Sequence, residues 1–529
     1  MTNIPEYHFN EDFQTRSVKL RELRELGIDP YPHSFTPTHT SQELKNTHNE
    51  QKSWSSADAA AGDTESVCLG GRLILFRAMG KNAFGHIQDH TGKIQIMINR
   101  DVTKVAGYNP ETCSVTNPPS HVKLIEKKLD LGDIIGIKGY VFWTMKGELT
   151  IYAHEVTVLC KTLLPLPDKH SGLTSKEIRY RKRWLDLITS HDVVNSFRLR
   201  SHILKTIRQY FEKHCFIEIE TPVLQSVYGG AQARPFITNF NVLDQEMYLR
   251  ISLEIPHKKL IVGGMHRIFE ISKVFRNEGI DKNHNPEFTE LEAYAAYWDY
   301  NDMMSFTEKL FETIAIEIFG DTKVPLTSNT DEEIFIDMKA PWQRLTMKGS
   351  IKKFTGHDID TMSDDDIKKV LLDNDESLEP KDLVAMPRGL LISTLFEETV
   401  EHNLIQPHHI IDHPIETTPL CKPHRNPKDR EDGIVERFES FIMGREICNA
   451  YTELNDPEMQ RELLVKQSEK RDAGDEEANP LDEEFIEAIC QGMPPTSGVG
   501  IGIDRLVMLF TNAISIRDVL YFPFMKQQS

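Results

Sequence analysis

No stretch of the chain approaches the roughly 20 consecutive apolar residues that a membrane-spanning helix needs, so none is expected. Cysteine is scarce as well: seven in 529 residues, scattered singly and with no CxxC pair. That spacing argues against a disulfide framework and against a structural zinc site. HExxH is absent, and although His409 and His413 stand four apart, Pro407, Ile410, Ile411 and Pro414 favour an extended segment over a metal-binding helix. The start, MTNIPEYHFNEDF, has neither an apolar core segment nor an Arg-rich, acid-poor character. Neither a signal peptide nor a transit peptide is therefore expected, and the cytoplasm is the expected location. Basic residues are outnumbered 61 to 81, for a formal net charge of −20. An acidic total speaks against nucleic acid, yet contact depends on where Lys and Arg cluster. Two clusters exist, Arg72 to Lys81 and Lys176 to Arg183, and by themselves both read as solvated faces.

What is present has room for two or three domains. Residues 1–64 carry an amphipathic helix pattern at Arg16 to Leu26 and then a Ser- and Ala-rich tract, Ser53 to Gly62, read as loop or disorder. Across 65–162 the pattern turns to five or so short β-rich runs with Gly-bearing turns, which suits a small barrel such as the OB-fold. A linker, 163–192, holds Pro165 and Pro167. The remainder, 193–529, opens with a helical stripe over Val193 to Phe211 that leads into FIEIETPVL. An acid- and Lys-rich insertion at about 341–403 shows no evident chemistry.

The most informative stretch is Arg267 to Tyr297, two alternating arms around a turn-rich loop from Gly279 to Pro286. Period two puts Phe269, Ile271 and Phe275 on one face of the first arm and Glu270, Arg276 and Glu278 on the other. In the return arm Phe288, Glu290, Glu292 and Tyr294 share a face, opposite Leu291, Ala293 and Ala295. One Arg among carboxylates and rings suits a site that holds an anion, a cation and a flat ring together. Further on, VERFESFIMGREICNAYTELNDP reads as two strands broken near Gly444, with Asn449, Tyr451 and Glu453 on one side. GVGIGIDRLVMLF then runs a Gly-rich strand into an amphipathic helix with Arg505 near its start, a phosphate-favouring arrangement.

FRNEG followed by HNPEFTELEAY resembles motif 2 of the class II aminoacyl-tRNA synthetases, in the form carried by the subclass IIb lysyl-tRNA synthetases. The Val193 helix with FIEIETPVL resembles motif 1, and GxGxGxDR resembles motif 3. The resemblance runs from about Val67 to Lys526 and is to the cytoplasmic, eukaryotic-like form, without its long Lys-rich N-terminal extension. It implies an α+β fold: an N-terminal OB-fold β-barrel that binds the anticodon, then an antiparallel β-sheet catalytic domain flanked by helices. Motif 1 implies a homodimer, and the implied partners are tRNA(Lys), ATP and L-lysine, with no membrane. Two positions depart from the family pattern, Leu253 in place of a usual Pro and Val499 in place of a frequent Trp.

The resemblance also implies residue roles. For ATP, Arg276 would contact the α-phosphate, Arg505 the γ-phosphate and His284 the pyrophosphate, with Asn285 and Gly502 alongside. Phe288 would stack on adenine and Glu278 accept its amino group. Glu439 and Glu446 would hold Mg²⁺. For lysine, Glu254 and Gly230 would receive the α-ammonium, Arg276 and Asn449 the carboxylate, and Glu453 and Tyr294 the side-chain ammonium, with Glu292 and Tyr451 adjoining. In the barrel, Phe84 would stack on an anticodon base while Gln95 and Glu155 read its neighbours. Two rivals remain: an aspartyl- or asparaginyl-tRNA synthetase, and a non-catalytic, synthetase-like RNA-binding protein. The acidic Glu292, Tyr294 and Glu453 set disfavours the first, because an anionic substrate wants Arg or Lys. Arg276, Arg505, Glu439 and Glu446 together disfavour the second.

Overall fold

In the strands between Ser66 and Cys160 apolar side chains recur at alternate positions, and that period lets one curved sheet bury an inner face and close on itself. The computed structural model describes residues 5–167, 173–327, 332–374 and 378–527, and the chain divides into the units Met1–Thr174 and Ser175–Ser529. In the first unit strands β1 (Ser66–Met79), β2 (Asn82–Gln88), β3 (Lys93–Asn99), β4 (Ile134–Trp143) and β5 (Leu149–Cys160) run in the order β3-β2-β1-β4-β5. Parallel pairing of β3 with β5, from Gln95 opposite Thr150 to Ile98 opposite Ala153, closes the barrel. Its interior holds Val67, Leu69, Leu73, Ile94, Ile96, Ile137, Ile151 and Val156.

Two N-terminal readings change. The expected helix begins earlier, at Glu11, because the Asn10 side chain accepts from the Asp12 and Phe13 amides. The Ser- and Ala-rich tract is ordered: Ser56–Ala61 is a helix with Ser55 and Asp58 forming a capping box and Gly62 ending it in the left-handed region. Ala59 is fully buried with Met97, Phe142 and Tyr152, so small residues here serve close packing rather than disorder. Of the expected linker, residues 168–172 lie outside the described residues, as do Met1–Ile4 of the N-terminal segment.

The second unit is built on an eight-stranded mixed sheet: β6 (Ile217–Glu218), β7 (Arg267–Phe275), β8 (Glu287–Ala296), β9 (Gln343–Thr346), β10 (His408–Pro414), β11 (Ile434–Phe441), β12 (Glu446–Thr452) and β13 (Thr496–Gly502). The spatial order is β9-β10-β11-β12-β13-β8-β7-β6. Its middle is antiparallel, as expected, while the two outermost pairs are parallel. Helices His191–Lys213, Tyr300–Phe319 and Ile503–Thr511 pack Ile207, Phe211, Phe311, Ile314 and Val507 onto the face that shows Phe269, Leu291, Ala293, Phe438, Val499 and Ile501. Alternation leaves the polar residues of the same strands on the other face.

The insertion folds as helices Met347–Thr355, Asp364–Asn374, Pro380–Val384 and Arg388–Thr399 around its own apolar cluster, seated on Ile410 and Phe441. His409 lies on a strand, as its Pro and Ile neighbours predict, bonded to Ser440 and Glu308. The basic cluster at Lys176 to Arg183 is not a plain solvated face. Arg183 is buried, pairs with Asp186, and donates to the carbonyls of Arg517, Leu520 and Tyr521. Likewise Arg72 donates to the Gly132 carbonyl.

Phe438 is wholly buried between sheet and helices. Phe438→Ala is expected to cost about 3–5 kcal/mol, read as a lower denaturant midpoint for the second unit.

Candidate active site

The polar face of the sheet is concave and carries two adjoining cavities, of about 290 Å³ and about 310 Å³. Arg276, Glu290, Glu446, Asn449 and Gly500 line both. Arg276 follows β7 directly, and its backbone amide donates to the Pro286 carbonyl, so the hairpin register places its side chain at this junction. A larger cavity, about 760 Å³, is lined by Phe236, Leu249, Phe275, Tyr521 and Phe522 and reaches none of Glu254, Glu292 or Glu453.

The first cavity is acidic. Gly230, Glu254, Glu292, Tyr294, Asn449, Tyr451 and Glu453 all line it, which brings the expected amino-acid set together. Gly230 sits at φ +89, and a Cβ there would come 2.7 Å from Ser252 Oγ and 2.9 Å from Glu254 Cβ, so the backbone approach requires glycine. A Cβ at Gly498 would overlap Glu453 Oε1 and the Tyr294 ring. Glu292 is fully engaged within the chain: Oε1 accepts from Ser252 and the Leu253 amide, and Oε2 from the Tyr294 hydroxyl at 2.8 Å. It therefore holds the turn that leads into the helix Glu254–Val262. Glu254 accepts from the Tyr451 hydroxyl at 2.5 Å.

A residue that sequence reading missed lies beneath them. Lys258, wholly buried, places Nζ 2.5 Å from Glu254 Oε1 and 2.5 Å from Glu453 Oε2. Burial opposes its charge, but Glu254 and Glu453 outweigh that and hold the ammonium well above its usual pKa. Burial raises Glu453, the Lys258 ammonium pulls it back toward the ionised form, and Glu254 pushes it up again. Burial and the neighbouring Glu290 drive Glu292 up to about 7. Three carboxylates share one ammonium, so the cavity is short of positive charge.

The second cavity is lined by Arg276, Glu278, His284, Asn285, Phe288, Gly502 and Arg505, the expected nucleotide set. Arg505 stands in the first turn of the helix Ile503–Thr511; it bonds the Glu446 carboxylate at 3.1 Å and His284 Nε2 at 3.1 Å. The Phe288 ring lies 5.1 Å from the Arg276 guanidinium, close enough for a cation over its face. Asn285 lines the cavity, but its amide donates to the Glu287 carbonyl and accepts from the Phe524 amide, which makes it a brace. Asp504 also braces, binding Arg200 and the Thr289 amide. Glu439 and Glu446 rise from β11 and β12 on the wall of the first cavity; Arg437 bonds Glu439 at 2.6 Å and Asn449 at 3.0 Å. These two carboxylates are the hard oxygen donors that a magnesium ion prefers, although each is paired with an arginine here. From the insertion, Glu401 is pushed up to about 7 by burial and then by Glu446 and Glu397.

On the barrel, Phe84, Gln95 and Glu155 do not form one cluster. Gln95 donates to Glu148 at 2.9 Å, and His86 bonds the same carboxylate at 3.0 Å. Phe84 sits two residues from His86 on the outward face of β2, packed with Met97 and Tyr152. Glu155 lies beyond a register shift and pairs with Lys138 at 2.9 Å. The acid beside Gln95 is thus Glu148. Lys258 and Glu148 both left a trace in the sequence, the first as an i,i+4 partner of Glu254 and the second beside Gly147 at the head of a strand, but neither spacing names a partner across the fold.

A family model described as tRNA synthetases class II (D, K and N) matches residues 175–526, and one described as an OB-fold nucleic acid binding domain matches 67–159. The chain is 54% identical to a lysine–tRNA ligase of Chlamydia caviae over 524 residues, covering 99% of this chain and 98% of that protein. It is 44% identical to one from Staphylococcus epidermidis over 98% of this chain and 99% of that protein, and 45% identical to one from Nostoc punctiforme over 97% and 87%. These relatives are bacterial, not eukaryotic.

The raised carboxylates set a pH dependence. A carboxyl whose folded pKa exceeds its unfolded value near 4.5 stabilises fully below that value, and the stabilisation is lost as pH rises through the folded pKa. Glu292 and Glu401, each pushed up to about 7, place that loss between about pH 4.5 and 7. The melting temperature of ligand-free protein should therefore fall as pH rises through this window, and a ligand bearing an ammonium group should offset the fall.

Proposed function

The chain belongs to the class II tRNA synthetases, as a lysine–tRNA ligase that uses ATP to join lysine to tRNA, and we propose that its chemistry turns on Arg276, where the two cavities meet. The observation that carries this is the shared lining. A carboxylate in the acidic cavity and an α-phosphate in the other would both reach one guanidinium, which suits bidentate binding of oxyanions. Glu453 and Tyr294 receive the side-chain ammonium, Glu254 and the Gly230 backbone the α-ammonium, and Arg276 and Asn449 the carboxylate. Glu292 and Tyr451 set the positions of Tyr294 and Glu254. Arg505 and His284 take the outer phosphates, Phe288 the adenine ring and Glu278 its amino group.

The lysine carboxylate then attacks the α-phosphorus in line, forming a C–O–P bond as the bond to pyrophosphate breaks. The terminal ribose hydroxyl of tRNA next attacks the acyl carbon and AMP leaves. Catalysis is by positioning and by stabilising the charge that develops on phosphorus-bound oxygen, so no protein general base is assigned. Glu439 and Glu446 would hold magnesium, which neutralises phosphate charge when bound.

For the barrel we assign anticodon contact to Phe84, Gln95 and Glu148, a ring for stacking beside donors and acceptors for base edges. Association of two copies is supported by exposed apolar side chains around β6 and the next strands, Ile217, Leu224, Ile237, Phe240, Val242 and Leu243. Seven free cysteines support a reducing, cytoplasmic setting. No helix among the described residues is long and apolar enough to cross a membrane.

ATP–pyrophosphate exchange with each of the twenty amino acids and Mg²⁺ tests the reading. Exchange should appear with lysine alone; exchange with aspartate or asparagine would replace the substrate assignment. Glu148→Ala should leave lysine-dependent exchange unchanged and lower kcat/KM for tRNA charging by about tenfold or more, as expected for loss of a base-reading contact.

A further inference from the structure

Lys258 sits one helical turn after Glu254 and bridges it to Glu453, with the Tyr451 and Phe485 rings 5.6 Å and 5.9 Å from its ammonium. The simplest account is a staple between the helix Glu254–Val262 and the chain following β12. Two observations go further. Both oxygens of Glu254 are occupied, by Lys258 and by Tyr451, whereas Glu453 gives Lys258 only Oε2. Its Oε1 is buried without a hydrogen-bond partner and lies beside Tyr294 and Gly498 on the cavity wall. The groups facing Glu453 are Glu254 and Lys258 from the helix, Glu292 and Tyr294 from β8, Tyr451 from β12 and Cys421 from the neighbouring segment. Of these, Lys258 is the one cation. A carboxylate buried beside two others takes up a proton unless a cation holds it ionised. A protonated Glu453 would offer a substrate ammonium no countercharge.

We propose that Lys258 is a specificity-determining positioning residue: by holding Glu453 as an oriented carboxylate with one oxygen open, it makes the cavity select a side chain ending in an ammonium over a neutral one. The chain thus uses one resident lysine ammonium to prepare the seat for another. This rests on the lysine reading of the cavity.

The test measures kcat and KM for lysine and for ATP, and the ratio of exchange with lysine to exchange with norleucine, at several pH values. Lys258→Met keeps the length and removes the charge. Without that charge Glu453 stays protonated to higher pH, so KM for lysine should rise by about tenfold or more at neutral pH and recover as pH rises. KM for ATP should hold, and the lysine-to-norleucine ratio should fall. Lys258→Arg retains a cation and should keep the wild-type ratio and pH profile. A staple alone would lower the melting temperature and leave ratio and pH profile unchanged; that result overturns the proposal. So does Lys258→Arg losing both, which is the deciding variant if Lys258→Met does not fold. Wild-type protein that exchanges without lysine overturns the reading of the cavity and the proposal with it. Lysine-dependent wild type with an unaltered variant overturns the proposal alone.

Discussion

Glu254, Glu292 and Glu453 are buried around a single resident ammonium, and the rest of the second unit is arranged to make that charge imbalance tolerable. Removing one partner from a buried ion pair costs about 3–5 kcal/mol, far more than an exposed pair contributes. The surroundings therefore supply donors at nearly every oxygen: Ser252, the Leu253 amide and Tyr294 for Glu292, Tyr451 and Lys258 for Glu254. The oxygen left over, Glu453 Oε1, is buried without a partner on a residue that lines the cavity. In the proposed reading, selectivity for an ammonium follows from this electrostatic deficit, which a cation fills and a neutral chain does not.

Such a deficit is sustainable because the sheet separates its two faces completely. Odd-numbered residues of β8, Leu291, Ala293 and Ala295, face the helices; even-numbered ones, Phe288, Glu290, Glu292 and Tyr294, face the cavities. Across the sheet, β12 and β13 repeat this with Ala450, Val499 and Ile501 behind and Asn449, Tyr451, Gly498 and Gly500 in front. Glycines at the front of β13 leave open volume there. A dry, apolar back and a polar front put Arg276 where the two cavities meet.

The barrel reuses the same alternation for another end. Its inward residues make a closed apolar core, and its outward ones at β2, β3 and the start of β5 bring an aromatic ring, two amide or imidazole donors and a carboxylate together. Glu155 lies further along β5, past a register shift, and pairs with Lys138 instead. Nothing in the local spacing announces that shift.

Several features were determined by the sequence alone. Period two in Arg267 to Tyr297 and in Val435 to Pro457 established the strands and which side chains share their polar faces, because side-chain direction along a strand is a local property. Caps and turns are local too, although the Ser55 capping box shows that a Ser- and Ala-rich tract reads as disorder until its buried Ala59 is seen. Tertiary structure decided the rest: that Lys258 sits between Glu254 and Glu453, that Glu148 rather than Glu155 stands beside Gln95, that Asn285 braces the chain near its end, and that Arg183 is buried. Each of these depends on residues far apart in the chain meeting in a low-dielectric interior, where distance and burial set the charge state, and the order of residues along a chain encodes neither of those directly.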